Sequence, residues 1–429
     1  MPEGRPSHEL LAGWATADIM PPRPVALIGQ LHKRISTGVR DPLTATALAL
    51  ESSGAEKPEQ AILVSCDLLF IQRQIEERLQ ARLRKELPAF DSRKLLLNAT
   101  HTHTGPGLVD STFKGLYDVS QDAGVMTASE YADLFIDRVA EAVIRAWNSR
   151  KPAEMGWALS QAVVGYNRRA QFRDGSTVMY GDTGSPQFEN IEGPEDHTIG
   201  LLFFWQPGSK WQGVVINVAC PAQETENLNE ISADFWHDVR KELRRRHGDE
   251  LHVLPQCAPS GDLSPHPIYR KTAEEVMARR RGLSRREELA RRIANAVDDG
   301  LPVAREERAA RLVFRHLVAS ITLPEQAGKE PFYETDPVRA MPLHVVRLGE
   351  VAMATFPFEL YLDYGIRVQA RSPAPVTLLI QLCGGGSGYL PTARAVRGGG
   401  YSADKFLVGP EGGQVLVEET VRNLQELFR

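Results

Sequence analysis

Lys94-Leu-Leu-Leu-Asn-Ala-Thr-His-Thr-His-Thr-Gly-Pro-Gly107 is the stretch on which the reading of this chain turns. An apolar run of strand length, residues 94–100, ends in two histidines spaced i, i+2, and a Gly-Pro-Gly turn follows. In extended backbone, residues two apart point to the same face. His101 and His103 are thus placed to share a metal, or to divide ligand and acid/base roles. Two surface histidines at a strand end are the plain alternative.

Working outward, apolar runs of strand length alternate with amphipathic stretches of helical period, the pattern of an α/β or mixed α+β architecture. Strands are expected over residues 61–70, 94–100, 199–205, 213–220, 251–256, 312–323, 344–356 and 376–382, and helices over 71–87, 131–148, 235–246 and 411–428. The expected fold is one large catalytic domain over residues 8–429, built on mixed β-sheets with flanking helices. Residues 173–194 are polar and Gly-rich, a hairpin or lid. Residues 271–301 hold the one basic concentration, MARRRGLSRREELARR, read as a solvated helix pair inserted in the domain. No internal sequence repeat is evident.

The composition excludes several classes. The chain has 429 residues, 50 basic and 55 acidic, a formal charge of −5, and 42% apolar and 24% charged residues. That is an ordinary globular chain, long enough to bury a core without disulfides. Basic residues are balanced along most of it, and no aromatics interleave the arginines of 271–301, so nucleic acid is not an expected partner. Cys66, Cys220, Cys257 and Cys383 are unpaired in spacing and read as reduced thiols packing the sheets. The N-terminus shows no basic segment followed by an apolar stretch, and no apolar run approaches about 20 residues. A cytoplasmic protein without integral membrane contact is expected, its partner a small-molecule substrate. Oligomeric state is not legible.

Three further motifs follow probable strands. Asp262 and Ser264, again i, i+2, stand in Ala258-Pro-Ser-Gly-Asp-Leu-Ser-Pro265, either functional groups at a strand exit or a turn satisfying its own backbone. Glu359, in Phe356-Pro-Phe-Glu-Leu360, reads as a metal ligand or as a first-turn acid favoured by a helix dipole. Cys383-Gly-Gly-Gly-Ser-Gly-Tyr-Leu-Pro-Thr392 lets backbone approach something closely but lacks the Gly-Lys-Ser/Thr ending of a P-loop. These motifs place His101, His103, Asp262, Ser264, Glu359 and Tyr389 at strand exits, where α/β sites assemble.

In their order and wording the motifs resemble the catalytic domain of the neutral (non-lysosomal) ceramidase family. The likeness runs over roughly residues 10–400, through Gly13-Trp-Ala-Thr-Ala-Asp-Ile-Met-Pro-Pro22, Val64-Ser-Cys-Asp-Leu68, Ala99-Thr-His-Thr-His-Thr-Gly-Pro-Gly107, Asn167-Arg168, Gly261-Asp-Leu-Ser-Pro265, Pro357-Phe-Glu359 and Gly388-Tyr-Leu-Pro-Thr392. The His-Thr-His and Gly-Asp-x-Ser-Pro segments are the specific ones. The resemblance implies a zinc-dependent amide hydrolase, with His101, Glu359 and Tyr389 as zinc ligands and Tyr389 also able to steady an oxyanion. His103 and Arg168 would line the site and steady the substrate carbonyl. Asp262 and Ser264 belong to the catalytic motif, Ser264 as nucleophile or as a positioning hydroxyl.

Three departures accompany the likeness. Where the family carries a second zinc histidine this chain has Pro221, in Asn217-Val-Ala-Cys-Pro-Ala-Gln-Glu224, and proline has no ligating side chain. Gln223, Glu224, His197, Cys220 and His237 are candidate replacements, with His237 preferred. The chain also stops soon after Tyr389, without the family's C-terminal immunoglobulin-like domain, and shows no signal peptide. A soluble amide or ester is expected rather than ceramide. Two other readings stay open: a metal-free small-molecule binding protein, and an esterase or acyltransferase using Ser264 with His101 or His103 as base.

Overall fold

Three consecutive stretches of the chain fold in one and the same order: three antiparallel strands, a helix, a fourth strand parallel to the third, and a long helix. The computed structural model describes residues 7–54, 56–208, 211–331 and 333–429. The first unit runs His8–Asp18, Thr44–Ser53, Gln60–Cys66, helix Arg73–Glu86, Leu95–Ala99, helix Ala128–Asn148. The second runs Glu154–Gln161, Thr198–Trp205, Trp211–Val218, helix Phe235–His247, His252–Cys257, helix Arg285–Glu306. The third runs Phe314–Ile321, Met341–Leu348, Val351–Phe356, helix Leu362–Arg371, Val376–Gln381, helix Pro410–Phe428.

Burial explains the strand sequences. The third and fourth strands of each unit, such as Gln-Ala-Ile-Leu-Val-Ser-Cys66 and Val-Ala-Met-Ala-Thr-Phe356, are almost wholly buried, so they read as continuous apolar runs. One face of each sheet packs on its own helices, giving three outer cores, around Phe135, Trp236 and Tyr364. The other faces share a central core that joins Leu48, Leu63, Leu202, Leu254, Met353 and Leu378. The long helices Ala128–Asn148 and Arg285–Glu306 begin in capping boxes, Thr127 with Glu130 and Ser284 with Glu287.

The three fourth strands touch one another at the centre. Ala99 N–H donates to the Leu382 carbonyl at 3.3 Å, Asn98 Nδ2 to the Pro255 carbonyl at 3.4 Å, and Gln381 Nε2 to Cys257 Sγ at 3.3 Å. The carboxyl ends of the parallel strands therefore gather together, and the motif loops meet there.

The structure revises several expectations. Residues 344–356 are not one strand but the hairpin Met341–Leu348 and Val351–Phe356, turning at Gly349 with φ +61°. The strands His8–Asp18, Thr44–Ser53 and Glu154–Gln161 escaped the reading because each carries small or polar residues among its apolar ones. The 173–194 excursion forms, with Arg169–Phe172, a three-stranded sheet that includes Thr177–Met179 and Phe188–Ile191. The basic stretch is a helix pair, Lys271–Arg280 and Arg285–Glu306, but the second packs Leu289, Ile293 and Val297 into a core. Among the described residues no helix is long and apolar enough to cross a membrane, and the four cysteines are free and buried. Of residues 1–22, on which the signal-peptide reading rests, residues 1–6 lie outside the described residues.

One buried ion pair fastens the first unit to the second. Arg240 donates through Nη1 and Nη2 to Asp67 Oδ2 and Oδ1 at 2.8 and 2.9 Å, with both side chains at most 5% exposed. Arg240→Met should lower the unfolding free energy by about 3–5 kcal/mol, because it strands a buried carboxylate. A urea-midpoint change equivalent to under about 1 kcal/mol would mean that Thr44 satisfies Asp67 unaided. Elsewhere, burial pushes the Glu76 carboxyl from 4.5 up to about 8. A folded-state value above the unfolded one makes its contribution complete below the unfolded pKa and progressively lost as pH rises through 8. Glu76→Gln should therefore gain roughly 2–4 kcal/mol more at pH 8.5 than at pH 4.5, read from paired urea melts.

Candidate active site

Two miniature sheets bring the motif residues side by side. Glu359–Leu360 pairs in parallel with Tyr389–Leu390, in a register that sets Glu359 beside Tyr389. Tyr166–Asn167 pairs antiparallel with Leu263–Ser264. Arg168 then crosses between them: its backbone N–H donates to the Asp262 carbonyl at 3.0 Å, and Nη2 donates to the Gly261 carbonyl at 3.0 Å and the Tyr389 hydroxyl at 3.2 Å. Gly261 must be glycine, since a Cβ there would lie 2.3 Å from the Glu359 carbonyl oxygen.

His101 enters this cluster from the first unit. Its backbone sits at φ +67°, a costly conformation for a residue with a Cβ, held by donation from His101 N–H to the Leu68 carbonyl. The ring Nδ1 donates to the Leu69 carbonyl at 2.8 Å, which turns Nε2 toward Glu359, 3.4 Å from Oε2. Glu359 Oε1 accepts from the Tyr333 hydroxyl at 3.0 Å. Burial alone would raise the Glu359 carboxyl, but His101, Tyr389 and Arg168 outweigh it and hold the group below its usual range.

His103 packs edge-on to His101, ring centroids 4.9 Å apart, and neither of its ring nitrogens has a hydrogen-bond partner. Burial, reinforced by His101, Arg168 and Arg34, depresses its pKa well below the imidazole norm, so the ring is neutral. Glu226 Oε2 stands 3.7 Å from His103 Nδ1. Gly29 lies against the same ring, with φ +110° and a would-be Cβ 2.7 Å from Nδ1.

The second motif behaves differently. Asp262 is fully buried, pushed up to about 6 by burial, and accepts from Asn167 Nδ2 at 2.8 Å and Leu362 N–H at 2.9 Å. It organises the loops on either side. Ser264 Oγ accepts from His266 N–H at 3.1 Å. Neither His101 nor His103 hydrogen-bonds it: Nδ1 of the first is committed to Leu69 and both nitrogens of the second are unpartnered.

The structure does not bring His237 to this cluster. Asp234 caps its helix, and His237, in the first turn, faces Asp41, Asp238 and Arg286 in a separate cleft. Three of the other candidate replacements are also engaged elsewhere. Gln223 donates to the Tyr180 hydroxyl, His197 pairs with Glu195 at 3.4 Å, and Cys220 Sγ faces the Val164 and Pro221 carbonyls. Glu226, Tyr180, Tyr333 and His266 were not read from the sequence. Glu224 and Glu226, spaced i, i+2 after the strand Trp211–Val218, carry the same signal that made the histidine pair legible.

Three side-chain donors lie together here. His101 Nε2, Glu359 and Tyr389 converge, three protein donors being what a catalytic zinc takes, and the Leu69 carbonyl orients the imidazole as a second-shell partner does. Among the described residues no group of three or more His, Cys, Asp and Glu side chains is placed to hold a metal ion, so a metal at this cluster would require the Tyr389 phenol as a donor.

No family model and no curated protein matches the chain. Solved structures do. A ceramidase complexed with C2 aligns with a TM-score of 0.69 at 15% identity, covering 96% of this chain and 74% of that one. Neutral ceramidase from Pseudomonas aeruginosa aligns with a TM-score of 0.69 at 15% identity, covering 98% and 75%. The chain shares its fold with neutral ceramidase. The mixed α/β architecture expected from the motifs is thereby established, and the ceramidase-like order of strands carries the His-Thr-His and Gly-Asp-x-Ser-Pro loops to one end of it. Gly29→Ala should displace the His103 ring and cost about 1 kcal/mol or more in stability. The first effect is read from imidazole ¹⁵N shifts and the second from a urea melt; unchanged shifts would show that the Gly29 turn does not set the ring.

Proposed function

We propose that the chain is a zinc-dependent hydrolase that cleaves a carbon–nitrogen amide bond, or the corresponding ester, of a small soluble substrate. One observation carries the reading: His101, Glu359 and Tyr389 meet beside a neutral His103 and a buried Arg168, in a fold shared with ceramidases. Residues 8–429 form one catalytic unit in this reading, since all three topological units contribute to the cluster. A cytoplasmic location accords with the four free, buried cysteines.

The chemistry zinc supplies, held by His101, Glu359 and Tyr389, is Lewis acidity toward a carbonyl and a water pKa near about 7. The chain's own residues divide the remaining work. Arg168 fixes the Tyr389 oxygen through Nη2, and its Nε, buried without a partner, is a spare donor for an oxyanion. His103 takes a proton from the attacking water at an unpartnered ring nitrogen and delivers it to the leaving nitrogen or oxygen. Glu226, 3.7 Å from Nδ1, stabilises the imidazolium formed in between. Asp262 holds Asn167 and the Leu362 backbone in place, and Ser264 positions substrate through its hydroxyl.

Metal content and turnover of N-acyl amides and esters test this together. Protein purified without chelator should hold about one zinc per chain, and His101→Ala should lose both metal and activity. His103→Ala should keep the metal and lose about 10²–10⁴-fold in kcat. Ser264→Ala should stay within about tenfold of the parent, whereas a serine nucleophile would lose on the order of 10⁶-fold. No stoichiometric metal, or a Ser264→Ala variant as dead as His103→Ala, would overturn the reading.

A further inference from the structure

Beside the cluster lies a cleft of about 470 Å³, lined by Tyr180, Glu224, Glu226, His266, Lys271 and Arg285 among others. Glu226 belongs to both places: Oε2 faces His103 Nδ1 and Oε1 faces His266 Nε2, each at 3.7 Å. The cleft therefore leads to the neutral imidazole, and its floor is the Glu224-x-Glu226 loop.

On that floor Glu224 and His266 each present an atom that no protein donor meets. His266 Nε2 lies 2.9 Å from the Gln223 carbonyl, so Nε2 carries the proton. Burial lowers the His266 pKa, which leaves the ring neutral and Nδ1 a bare acceptor. Nδ1 faces Glu224 Oε2 at 3.6 Å. Glu224 is 91% buried as a side chain, and this same Oε2 is buried with no hydrogen-bond partner. At 3.6 Å the two groups make no hydrogen bond to each other, and an unmet buried polar oxygen costs about 1–3 kcal/mol.

Arg285 does not supply that donor. Its Nη2 donates to the Pro265 carbonyl at 3.0 Å and Nη1 to Glu274 at 3.3 Å, while Nε stands 3.5 Å from the other Glu224 oxygen, Oε1. Lys271 is exposed at the mouth, where the half-buried Glu275 lies beside it.

We propose that this cleft receives the non-reacting end of the substrate, and that this end carries a protonated amine or guanidinium that donates to Glu224 Oε2, His266 Nδ1 and Glu226. The inference rests on the hydrolase reading only in calling the occupant a substrate. Binding of the cation does not depend on it. The substrate class becomes small amides or esters with a cationic tail.

Burial raises the empty-cleft Glu224 carboxyl to about 8, against the pull of Arg285 and with Asp234 and Glu226 adding to the rise. Of the other groups facing it, His266 is neutral, and Lys271 and Glu275 of opposite sign lie at the mouth. A cation favours the ionised carboxylate, so its binding at pH 7 displaces the Glu224 proton into solvent.

The test is calorimetric titration of the full chain with n-butylguanidinium and with its neutral isostere n-butylurea. The cation should bind at least tenfold more tightly, the preference should collapse in Glu224→Gln, and at pH 7 the enthalpy should vary with buffer ionisation heat as a proton is released. Equal binding of the two isosteres by the parent protein would overturn the proposal whether or not the variant folds, as would a folded Glu224→Gln variant that keeps the preference. A tenfold preference in a protein that hydrolyses no amide or ester would uphold the cleft and remove the hydrolase reading. Hydrolysis with no cation preference would do the reverse.

Discussion

The Asp67–Arg240 pair is the constraint on which the rest of the site depends. Asp67 Oδ2 accepts from Thr44 N–H and hydroxyl as well as from Arg240, so one carboxylate gathers the second and third strands of the first unit and the crossover helix of the second. The next residue, Leu68, offers the carbonyl to which His101 N–H donates, and Leu69 the carbonyl that fixes the His101 ring. The strained φ of His101 persists because its backbone and its ring are held at separate points. A buried pair of this kind adds little net stability over apolar packing of similar shape. Its worth lies in registration: it accepts only one relative placement of two units whose apolar surfaces alone would tolerate sliding.

That registration matters because no unit carries a site by itself. The first contributes the histidines, the second Arg168, Asp262, Ser264 and Glu226, and the third Glu359 and Tyr389. Apart from Arg168, which follows an antiparallel strand, each set stands at the exit of a parallel strand, and the three fourth strands bond at the centre through Asn98, Gln381 and the Ala99 amide. Repeating one topology three times thus creates a junction of like strand ends. The loops there can diverge freely in chemistry while the sheets behind them keep the same task.

How much of this was legible follows from which interactions are local. His101 and His103, or Asp262 and Ser264, are readable because one short segment holds both members and a strand precedes it. Glu359 and Tyr389 were each legible at a strand exit, but their partnership came only through wording that resembles ceramidases, since their pairing is made by a two-residue parallel contact across the third unit. The threefold topology left no trace in the sequence because it requires only apolar runs, turns and helices, which many residues satisfy. The choice of His237 failed for a related reason. Proximity along the chain to the Pro221 loop says nothing about direction, and Asp234, by capping the helix, turns His237 toward Asp41 and Arg286.

The same distinction explains why Glu226 went unread while its geometry is so telling. In the sequence, Pro221 at the place of an expected histidine points to replacement ligands nearby. The structure places a carboxylate five residues further on, not among the donors but against the unpartnered imidazole of His103. Together with Glu224 and His266 it turns the approach to the cluster into a surface of acceptors. An apolar acyl chain would leave the buried Glu224 oxygen unmet, whereas a hydrogen-bond donor would meet it. Under the proposed cationic-tail reading, the approach therefore suits a polar, donor-bearing substrate in a frame shared with ceramidase.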